Sequence, residues 1–318
     1  MDRKQKATLV LSAIVFVAAV AVMVWAIHGL NQKNITSKNG ADVTEEETWG
    51  YNIEQNNVKY EYNTNISSIL FLGIDDDTNN KGRSDTIMLL ILDKSAKTIK
   101  ILSISRDTMI DIDVYDIFGE YAYTSTDHLN MQYTFGDSPM KSCFLTKRTV
   151  QGRLIHGIRI EGCIALTADG LNKLVDDLGG LTITLPNDYT DIDEAYTEGA
   201  TIKLDGAQAE RLFRYRDTSE LGSNEERLNR QLDLSEELFK NLTDKLDKDS
   251  ITDITDKLGK AFYTDLDADT LNNLKDFTLE EKTYTLPGEV KAGEDHDEFY
   301  VDEQELDKLL LDLFYTKK

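Results

Sequence analysis

The chain has 318 residues, with 58 acidic against 35 basic side chains and a formal net charge of −23. A chain this acidic is not attracted in bulk to nucleic acid or to anionic lipid, so a polyanionic ligand must be bound locally. Cys143 and Cys163 are the only cysteines. Their spacing leaves two alternatives open, a disulfide or two free buried thiols.

Residues 7–27 form an uncharged apolar run that would be roughly 32 Å long as a helix, about the thickness of a bilayer core. This run predicts a single transmembrane helix. A cleaved signal peptide is the alternative, but the run is longer than the usual apolar region and no small-residue cleavage site follows it. We therefore expect a cytoplasmic tail at residues 1–6 and everything after the helix on the extracellular face of the cell membrane.

Residues 28–65 are rich in Asn, Thr, Glu and Lys and lack apolar periodicity, which indicates an extracytoplasmic linker. The folded region is predicted to begin at Ile66 and to continue to Lys318. Its size suits one domain of about 250 residues, although two are possible.

Three apolar runs predict buried strands at 66–74, 85–93 and 98–105. Their continuous apolar character indicates a sheet covered on both faces. Further along, the pattern predicts a strand at 163–166, a helix ending at a glycine pair, and a strand at 181–186. The class is therefore α/β or mixed three-layer, with helices flanking a central sheet.

Later segments predict further helices and strands. Asp205 followed by Gln208 is typical of a capping box that opens a helix at 207–213. An amphipathic pattern runs from about Glu225 to Leu246. Strand candidates follow at 283–288 and 298–301, and a final helix is predicted at 303–314.

Acidic and basic side chains flank the loop between the first two strands. Asp75 follows the first strand, while Arg83 and Asp85 introduce the second, so all three are expected at one edge of the sheet. Their carboxylates suit Mg²⁺, or alternatively Mn²⁺, shared with substrate phosphates. An ordinary polar turn is the competing interpretation. Arg106 follows the third strand at the same kind of position, and Asp107 reads as structural.

A second group of candidates is rich in arginine. On an extended segment Arg214 and Arg216 would share one face, and on a helix Arg227 would share a face with Arg230 or Gln231. Guanidinium groups bind phosphate oxygens in a bidentate manner, so these residues predict a phosphate site. The competing interpretation is a surface salt-bridge network with neighbouring acids, namely Glu210, Asp217, Glu225 and Glu226.

These segments together resemble the LytR-CpsA-Psr family of cell-envelope transferases. The similar runs are ILFLGID, GRSDTIMLLILD, ILSISRD, LVDDLGGLTITLP, LDGAQAERLFRYR and RLNRQ, which occur in the family's order. The resemblance implies an α/β/α domain with a central mixed sheet. It also implies transfer of the phosphoglycosyl part of a polyprenyl-pyrophosphate glycan to a peptidoglycan hydroxyl.

The resemblance also implies roles for individual residues. Asp75 and Asp85 match the family's metal positions, and Arg106, Asp85 and Arg83 become the catalytic candidates. The residues implied to contact pyrophosphate are Arg83, Arg106, Arg214, Arg216, Arg227 and Gln231, to which the helical spacing adds Arg230.

This chain departs from the family pattern at three positions. His128, in the segment HLNMQY, stands where the family usually has Lys, so the charge at this pyrophosphate position is only partly present near neutral pH. Ser105 replaces a usual Pro, and Asn224 stands where an acidic residue is expected. These changes bear on rate and substrate choice more than on fold.

The leading hypothesis is a metal-assisted phosphotransferase that attaches teichoic-acid-like or capsular polymers to peptidoglycan at the membrane. A non-catalytic or regulatory protein that binds lipid pyrophosphate or another polyanion is one alternative. A pyrophosphate hydrolase is the other. Nucleic acid is not an expected partner.

Overall fold

The computed structural model describes residues 53–55, 58–75, 82–215, 227–232, 257–266, 277–294 and 296–318. Across these ranges no helix is long and apolar enough to cross a membrane. The predicted tail at 1–6 and the predicted transmembrane helix at 7–27 lie outside the described residues. So does most of the amphipathic pattern predicted at 225–246.

Fifteen strands, four α-helices and a helical turn at 227–232 account for most of the regular structure in the described ranges. The strands are β1 (Ile53–Gln55), β2 (Val58–Tyr62), β3 (Ile66–Ile74), β4 (Ser84–Asp93), β5 (Thr98–Ile104), β6 (Met109–Tyr115), β7 (Tyr121–His128), β8 (Gly162–Thr167), β9 (Leu181–Thr184), β10 (Thr201–Leu204), β11 (Phe262–Thr264), β12 (Thr278–Thr285), β13 (Gly288–Ala292), β14 (Asp297–Val301) and β15 (Tyr315–Lys317). The helices are α1 (Pro139–Thr149), α2 (Ala168–Asp177), α3 (Gly206–Arg214) and α4 (Glu303–Phe314).

The central sheet has six strands in the order β11-β8-β3-β4-β5-β12. Strand β4 runs antiparallel to both β3 and β5, whereas β8 is parallel to β3 and β12 is parallel to β5. The predicted mixed α/β fold is therefore confirmed, as are the predicted strands that form its centre. Because β3, β4 and β5 form consecutive antiparallel pairs, the end of β3, the start of β4 and the end of β5 share one edge.

Both faces of this sheet are covered by apolar side chains. Along β3, Ile69 and Phe71 join one core cluster while Leu70 and Leu72 join the other. Helices α2 and α3 pack on the first face, and α1 and α4 pack on the second. This double covering explains why the strands read as continuous apolar runs rather than as alternating patterns.

Helix α3 begins at the predicted capping box. The Asp205 side chain accepts from the backbone N–H of Gln208, and the Gln208 side chain accepts from the backbone N–H of Asp205. The helix continues through Arg214 because Leu212 and Phe213 face the core. The prediction that Arg214 lies on an extended segment with Arg216 is wrong for Arg214, and Arg216 lies outside the described residues.

The predicted linker is too long at its C-terminal end. Strands β1 and β2 lie within residues 28–65, and β2 pairs with both β1 and β15. Tyr60 and Tyr62 pack against the second core cluster, so this short sheet belongs to the folded domain. The sequence pattern does not predict this sheet, because its strands are largely polar and only one face of β2 contacts apolar groups.

Cys143 on α1 and Cys163 on β8 are free thiols, completely buried in the second core cluster. Burial, which disfavours the thiolate, raises the pKa of Cys163 well above its ordinary value. Of the two alternatives that the sequence leaves open, the structure has the pair of buried thiols.

Candidate active site

The candidate site lies at the edge where β3 and β5 end and β4 begins. Asp75 follows β3, Asp85 is the second residue of β4, and Arg106 follows β5 by two residues. Gly82 allows the chain to approach itself here, because a β-carbon at that position would lie 2.3 Å from the backbone oxygen of Asp75. The sheet therefore brings together three polar residues that are well separated in sequence.

Asp85 lies between two arginines. Arg106 Nη1 donates to Asp85 Oδ1 at 2.6 Å, and Arg227 Nη1 lies 3.6 Å from Asp85 Oδ2. Arg227 Nη2 also donates to the backbone oxygen of Asp85 at 3.1 Å. Arg106 Nε lies 3.3 Å from Asp107, which is buried beside it. The carboxylate thus holds two guanidinium groups close together at the sheet edge.

Two opposed effects act on the pKa of Asp85. Burial is the largest single effect and by itself raises the pKa, because the charged form loses solvation. The positive charges of Arg106, Arg227 and Arg83, with the hydrogen bond from Arg106, lower it. Together the arginines outweigh burial, so the pKa of Asp85 lies below its ordinary value. The carboxylate is therefore ionised at neutral pH.

Residues 227–232 are helical, and this turn docks on the start of β4. Arg227 contacts Asp85, and Gln231, four residues later, accepts a hydrogen bond from Thr86 Oγ1 at 2.9 Å. Gln231 also donates to the backbone oxygen of Phe213 at 3.1 Å. Of the two helical spacings considered from the sequence, the i, i+4 pair faces the candidate site. Gln231 acts there as a bridge between β4 and the end of α3.

Arg230 lies on another side of the same turn. Its guanidinium carbon lies 5.6 Å from the ring centroids of both Tyr189 and Tyr215, and its Nη2 donates to the backbone oxygen of Tyr215. Stacking between two aromatic rings fixes the plane of a guanidinium group. These contacts fasten the helical turn that carries Arg227.

Arg83 and Asp75 form a separate pair across the loop. The backbone N–H of Arg83 donates to Asp75 Oδ1, and the guanidinium lies 3.5 Å from Asp75 Oδ2. The Arg83 side chain is 46% exposed, whereas that of Asp75 is 17% exposed. Asp75 therefore closes the loop, and Arg83 is the most accessible cation beside Asp85.

Two other predicted residues make different contacts. His128 Nδ1 lies 3.1 Å from Asp127 Oδ1, its Nε2 lies 3.0 Å from the backbone oxygen of Asp297, and its ring meets His296 edge-on. This places the His128 ring against β14. Arg214 forms an i, i+4 ion pair with Glu210 at 2.8 Å and is half exposed, which is the surface-pair interpretation considered from the sequence.

The structure adds a residue that the sequence reasoning did not single out. Asn130 Nδ2 lies 3.4 Å from Asp85 Oδ1, and its backbone N–H donates to the backbone oxygen of Arg106 at 3.1 Å. Asn130 therefore ties the segment after β7 to the site. The one signal for it was its place in the HLNMQY segment, beside His128.

The donor set bears on the predicted Mg²⁺. Over the described ranges no group of three or more His, Cys, Asp or Glu side chains is placed to hold a metal ion. Asp75 and Asp85 are the two predicted ligands, and each also contacts an arginine. Mg²⁺ commonly binds through one or two carboxylates, retained waters and substrate phosphates. The residues thus fit a metal ion that binds together with a phosphorylated substrate.

The guanidinium groups at this edge have the donor geometry that suits phosphate oxygens. Three arginines, Arg83, Arg106 and Arg227, lie at this edge with three carboxylates, Asp75, Asp85 and Asp107, in a chain whose net charge is −23. Each guanidinium has five N–H donors, of which Asp85 occupies only part. The protein is thus a mixed α/β domain that brings arginine and carboxylate pairs together at one edge of its central sheet.

The particular family follows from comparison with known proteins. The model of the LytR_cpsA_psr family matches residues 27–314, and the chain belongs to this family. A crystal structure of Bacillus subtilis TagV has a TM-score of 0.58 and 25% identity, covering 79% of this chain and 96% of that one.

Two curated relatives are named polyisoprenyl-teichoic acid–peptidoglycan teichoic acid transferases. TagV of Bacillus subtilis (strain 168) is 32% identical over 150 residues, 45% of this chain and 35% of the relative. TagU of Bacillus cereus (strain AH820) is 30% identical over 142 residues, 45% of this chain and 42% of the relative. The matched segment spans less than half the length of these relatives.

Proposed function

We propose that this protein is a phosphotransferase that attaches a polyprenyl-pyrophosphate-linked glycopolymer, teichoic-acid-like or capsular, to a hydroxyl of peptidoglycan. The acceptor oxygen forms a bond to the phosphorus next to the glycan. The bond from that phosphorus to the bridging oxygen breaks, so prenyl phosphate leaves and the acceptor proton passes to a base or to solvent. Membership of the family and the names of its relatives support this reaction.

The observation that carries the proposal is the placement of Asp85 between Arg106 and Arg227. Negative charge is spread over the transferring and leaving phosphates during phosphoryl transfer, so catalysis depends on positioned positive charge. Arg106 and Arg227 are mostly buried and held by Asp85, which reduces their rearrangement when substrate binds. Arg83, being more exposed, would contact the outer phosphate oxygens.

We propose that Mg²⁺, or Mn²⁺ in its place, binds with the substrate through Asp75 and Asp85. The ion would neutralise phosphate charge and add electrophilic assistance. Asp85 then has two roles: it orients the arginines, and it offers an oxygen to the ion. Asp75 keeps Arg83 at the rim of the site.

The proposed location is the extracellular face of the cell membrane, with residues 7–27 as the anchor and residues 1–6 in the cytoplasm. The uncharged run at 7–27 supports this arrangement. A membrane-anchored enzyme and a donor held in the same leaflet by a prenyl tail share one surface, which raises their effective concentration.

The test is transfer by the full chain in lipid vesicles. The mixture contains a polyprenyl-pyrophosphate oligosaccharide, uncross-linked peptidoglycan and Mg²⁺. We expect attached phosphoglycan with the natural chain and a loss of roughly 100-fold or more with Arg106→Ala, since removing one electrostatic contact to the transition state has an effect of that order.

Arg159→Ala is the matched control, because Arg159 is exposed and lies just before β8, which begins at the opposite edge of the sheet. Its transfer rate should equal that of the natural chain. Tight donor binding with no transfer or release would instead indicate a regulatory or binding protein. Release of free phosphorylated glycan without attachment would indicate a hydrolase.

A further inference from the structure

The ribbon of β6 and β7, together with α1, presents an exposed apolar surface outside the candidate site. Seven large hydrophobic side chains are exposed within the described ranges, and six of them lie on these elements. We call this set the ribbon patch: Ile117, Phe118, Tyr121, Tyr123, Met140 and Phe144. Soluble surfaces rarely gather so many apolar groups in one place without a binding role.

The tip of the ribbon holds the most exposed members of the patch. Ile117 and Phe118 are 92% and 81% exposed. Their turn is fixed by Asp116, whose carboxylate accepts from the backbone N–H groups of Phe118 and Glu120. The two side chains are therefore displayed by an ordered turn.

Contacts with α1 make the ribbon patch continuous. Lys141 Nζ donates to the backbone oxygen of Gly119 at 2.9 Å and lies 4.6 Å from the centre of the Tyr115 ring. Tyr115 meets Tyr121 edge-on at 6.0 Å. On the same helix Arg148 lies 5.8 Å from the Phe144 ring and donates to Tyr115 Oη at 3.3 Å. The tip, the tyrosines and the helix face thus form one braced surface.

We propose that the ribbon patch inserts into the surface of the lipid bilayer. The chemistry of the patch supports this occupant: it has an aliphatic and aromatic tip, two tyrosines on β7, and a neighbouring lysine on α1 that contacts the tip turn. Tyrosine favours the boundary between lipid and water, and lysine reaches from apolar surroundings to the headgroups.

The length of chain before the domain also supports the bilayer. The inference rests on the proposed membrane anchor at 7–27, after which 25 residues, 28–52, precede the first described strand. A coil of that length spans roughly 28 Å, comparable to a radius of gyration of about 18 Å for a domain of this size. The ribbon patch therefore meets the bilayer at a high effective concentration, and weak insertion suffices.

The charged residues around the ribbon patch indicate that insertion depends on apolar contacts rather than on attraction to anionic lipid. Asp116, Glu120 and Asp137 lie around the tip, whereas Lys147 and Arg148 on α1 are already paired with Asp265 and Asp113. Anionic lipid should therefore weaken the insertion, and zwitterionic lipid should suffice for it.

The experiment measures the depth of single labelled positions in the full chain. Phe118→Cys is labelled with an environment-sensitive fluorophore, and the natural cysteines remain unlabelled because both are buried. Ala195→Cys is the matched control, since Ala195 is exposed in the loop between β9 and β10, which packs on the opposite face of the sheet. Each protein is placed as one copy in a zwitterionic lipid nanodisc that contains spin-labelled quencher lipids.

We expect the label at position 118 to be quenched at least about threefold more than the label at position 195, since interfacial insertion reaches roughly 5–10 Å below the headgroups. Met140→Cys should give intermediate quenching and serves if the tip variant does not fold. Equal quenching at 118 and 195 overturns the proposal. The proposal is also overturned if the label at position 118 becomes shielded from solvent only with several copies per disc, or only with added peptidoglycan fragments. Such a result would assign the patch to those partners.

The result is independent of the proposed enzyme function. Failure of the chain to enter the lipid disc would refute the anchor, and absence of glycan transfer would refute the enzyme. An anchored, active protein in which the label at position 118 is not quenched would refute only the insertion of the ribbon patch into the bilayer.

Discussion

Replacing Asp85 by Asn should strengthen the binding of pyrophosphate when no divalent ion is present. The substitution keeps the shape of the side chain and an oxygen that accepts from Arg106, but it removes a negative charge. A phosphate oxygen bound by the other donors of Arg106 and Arg227 would lie about 5 Å from the Asp85 carboxylate. Two unit charges at that distance repel by about 3 kcal/mol when the effective dielectric constant is about 20.

Partial exposure of Asp85 reduces this figure, so we expect about 2 kcal/mol, or roughly 30-fold tighter binding of inorganic pyrophosphate by Asp85→Asn. With saturating Mg²⁺ the order should reverse, because the natural carboxylate then offers an oxygen to the ion. Transfer of glycan should nevertheless fall. The variant therefore separates binding of the phosphate from catalysis.

Isothermal titration calorimetry of both proteins, with Mg²⁺ and with a chelator, measures the four affinities of this cycle. Arg159→Ala is again the control and should not change any of them. Weaker or equal binding of pyrophosphate by Asp85→Asn in chelator would refute the proposed position of the phosphate beside Asp85. If the natural chain binds pyrophosphate equally well with Mg²⁺ and with a chelator, the proposed metal role is refuted. The proposed role of the arginines is not affected by that result.

Three further predictions concern the stability and packing of the fold. Gly82→Ala should lower the free energy of unfolding by about 1–3 kcal/mol and weaken pyrophosphate binding, because its β-carbon would lie 2.3 Å from a backbone oxygen at the end of β3. A melting temperature equal to that of the natural chain would contradict this close approach. Burial by itself raises the pKa of Asp113. Its hydrogen bonds and the positive charges of Arg153 and Arg148 lower the pKa by more than burial raises it, so the folded pKa lies below the ordinary value. The stability it contributes is present above the unfolded pKa of about 3.9 and is lost as the pH falls through the folded pKa, so Asp113→Asn should flatten the acid unfolding curve in that range. Cys143 and Cys163 should both resist a thiol reagent until the protein unfolds, whereas a mass map that finds them joined would contradict the free pair.

Sequence reasoning was most successful for the central sheet. The runs at 66–74, 85–93 and 98–105 identify β3, β4 and β5 because buried strands covered on both faces are apolar along most of their length. The capping box at Asp205 identifies the start of α3 because its hydrogen bonds are local. The sequence did not predict β1 and β2, because β2 pairs with β15 at the other end of the chain and β1 pairs with β2.

The candidate site was likewise predicted only in part from the sequence. The sequence by itself determined which residue types stand at strand ends, Asp75, Asp85 and Arg106, since strand ends follow from apolar patterning and sheet edges follow from strand direction. It also limited the partner of Arg227 on the helical turn to two spacings, and the tertiary structure selected the one that reaches β4.

Only the tertiary structure decided which distant side chains contact Asp85. Arg227 lies 142 residues from Asp85 in the chain, and Asn130 lies 45 residues away, so their contacts depend on how distant elements pack. The exposure of Ile117 and Phe118 was decided there too, because an apolar pair in a sequence reads as core until the packing of its ribbon is known. Local patterns record the covalent neighbours of a residue, whereas a binding site is defined by neighbours that the fold supplies.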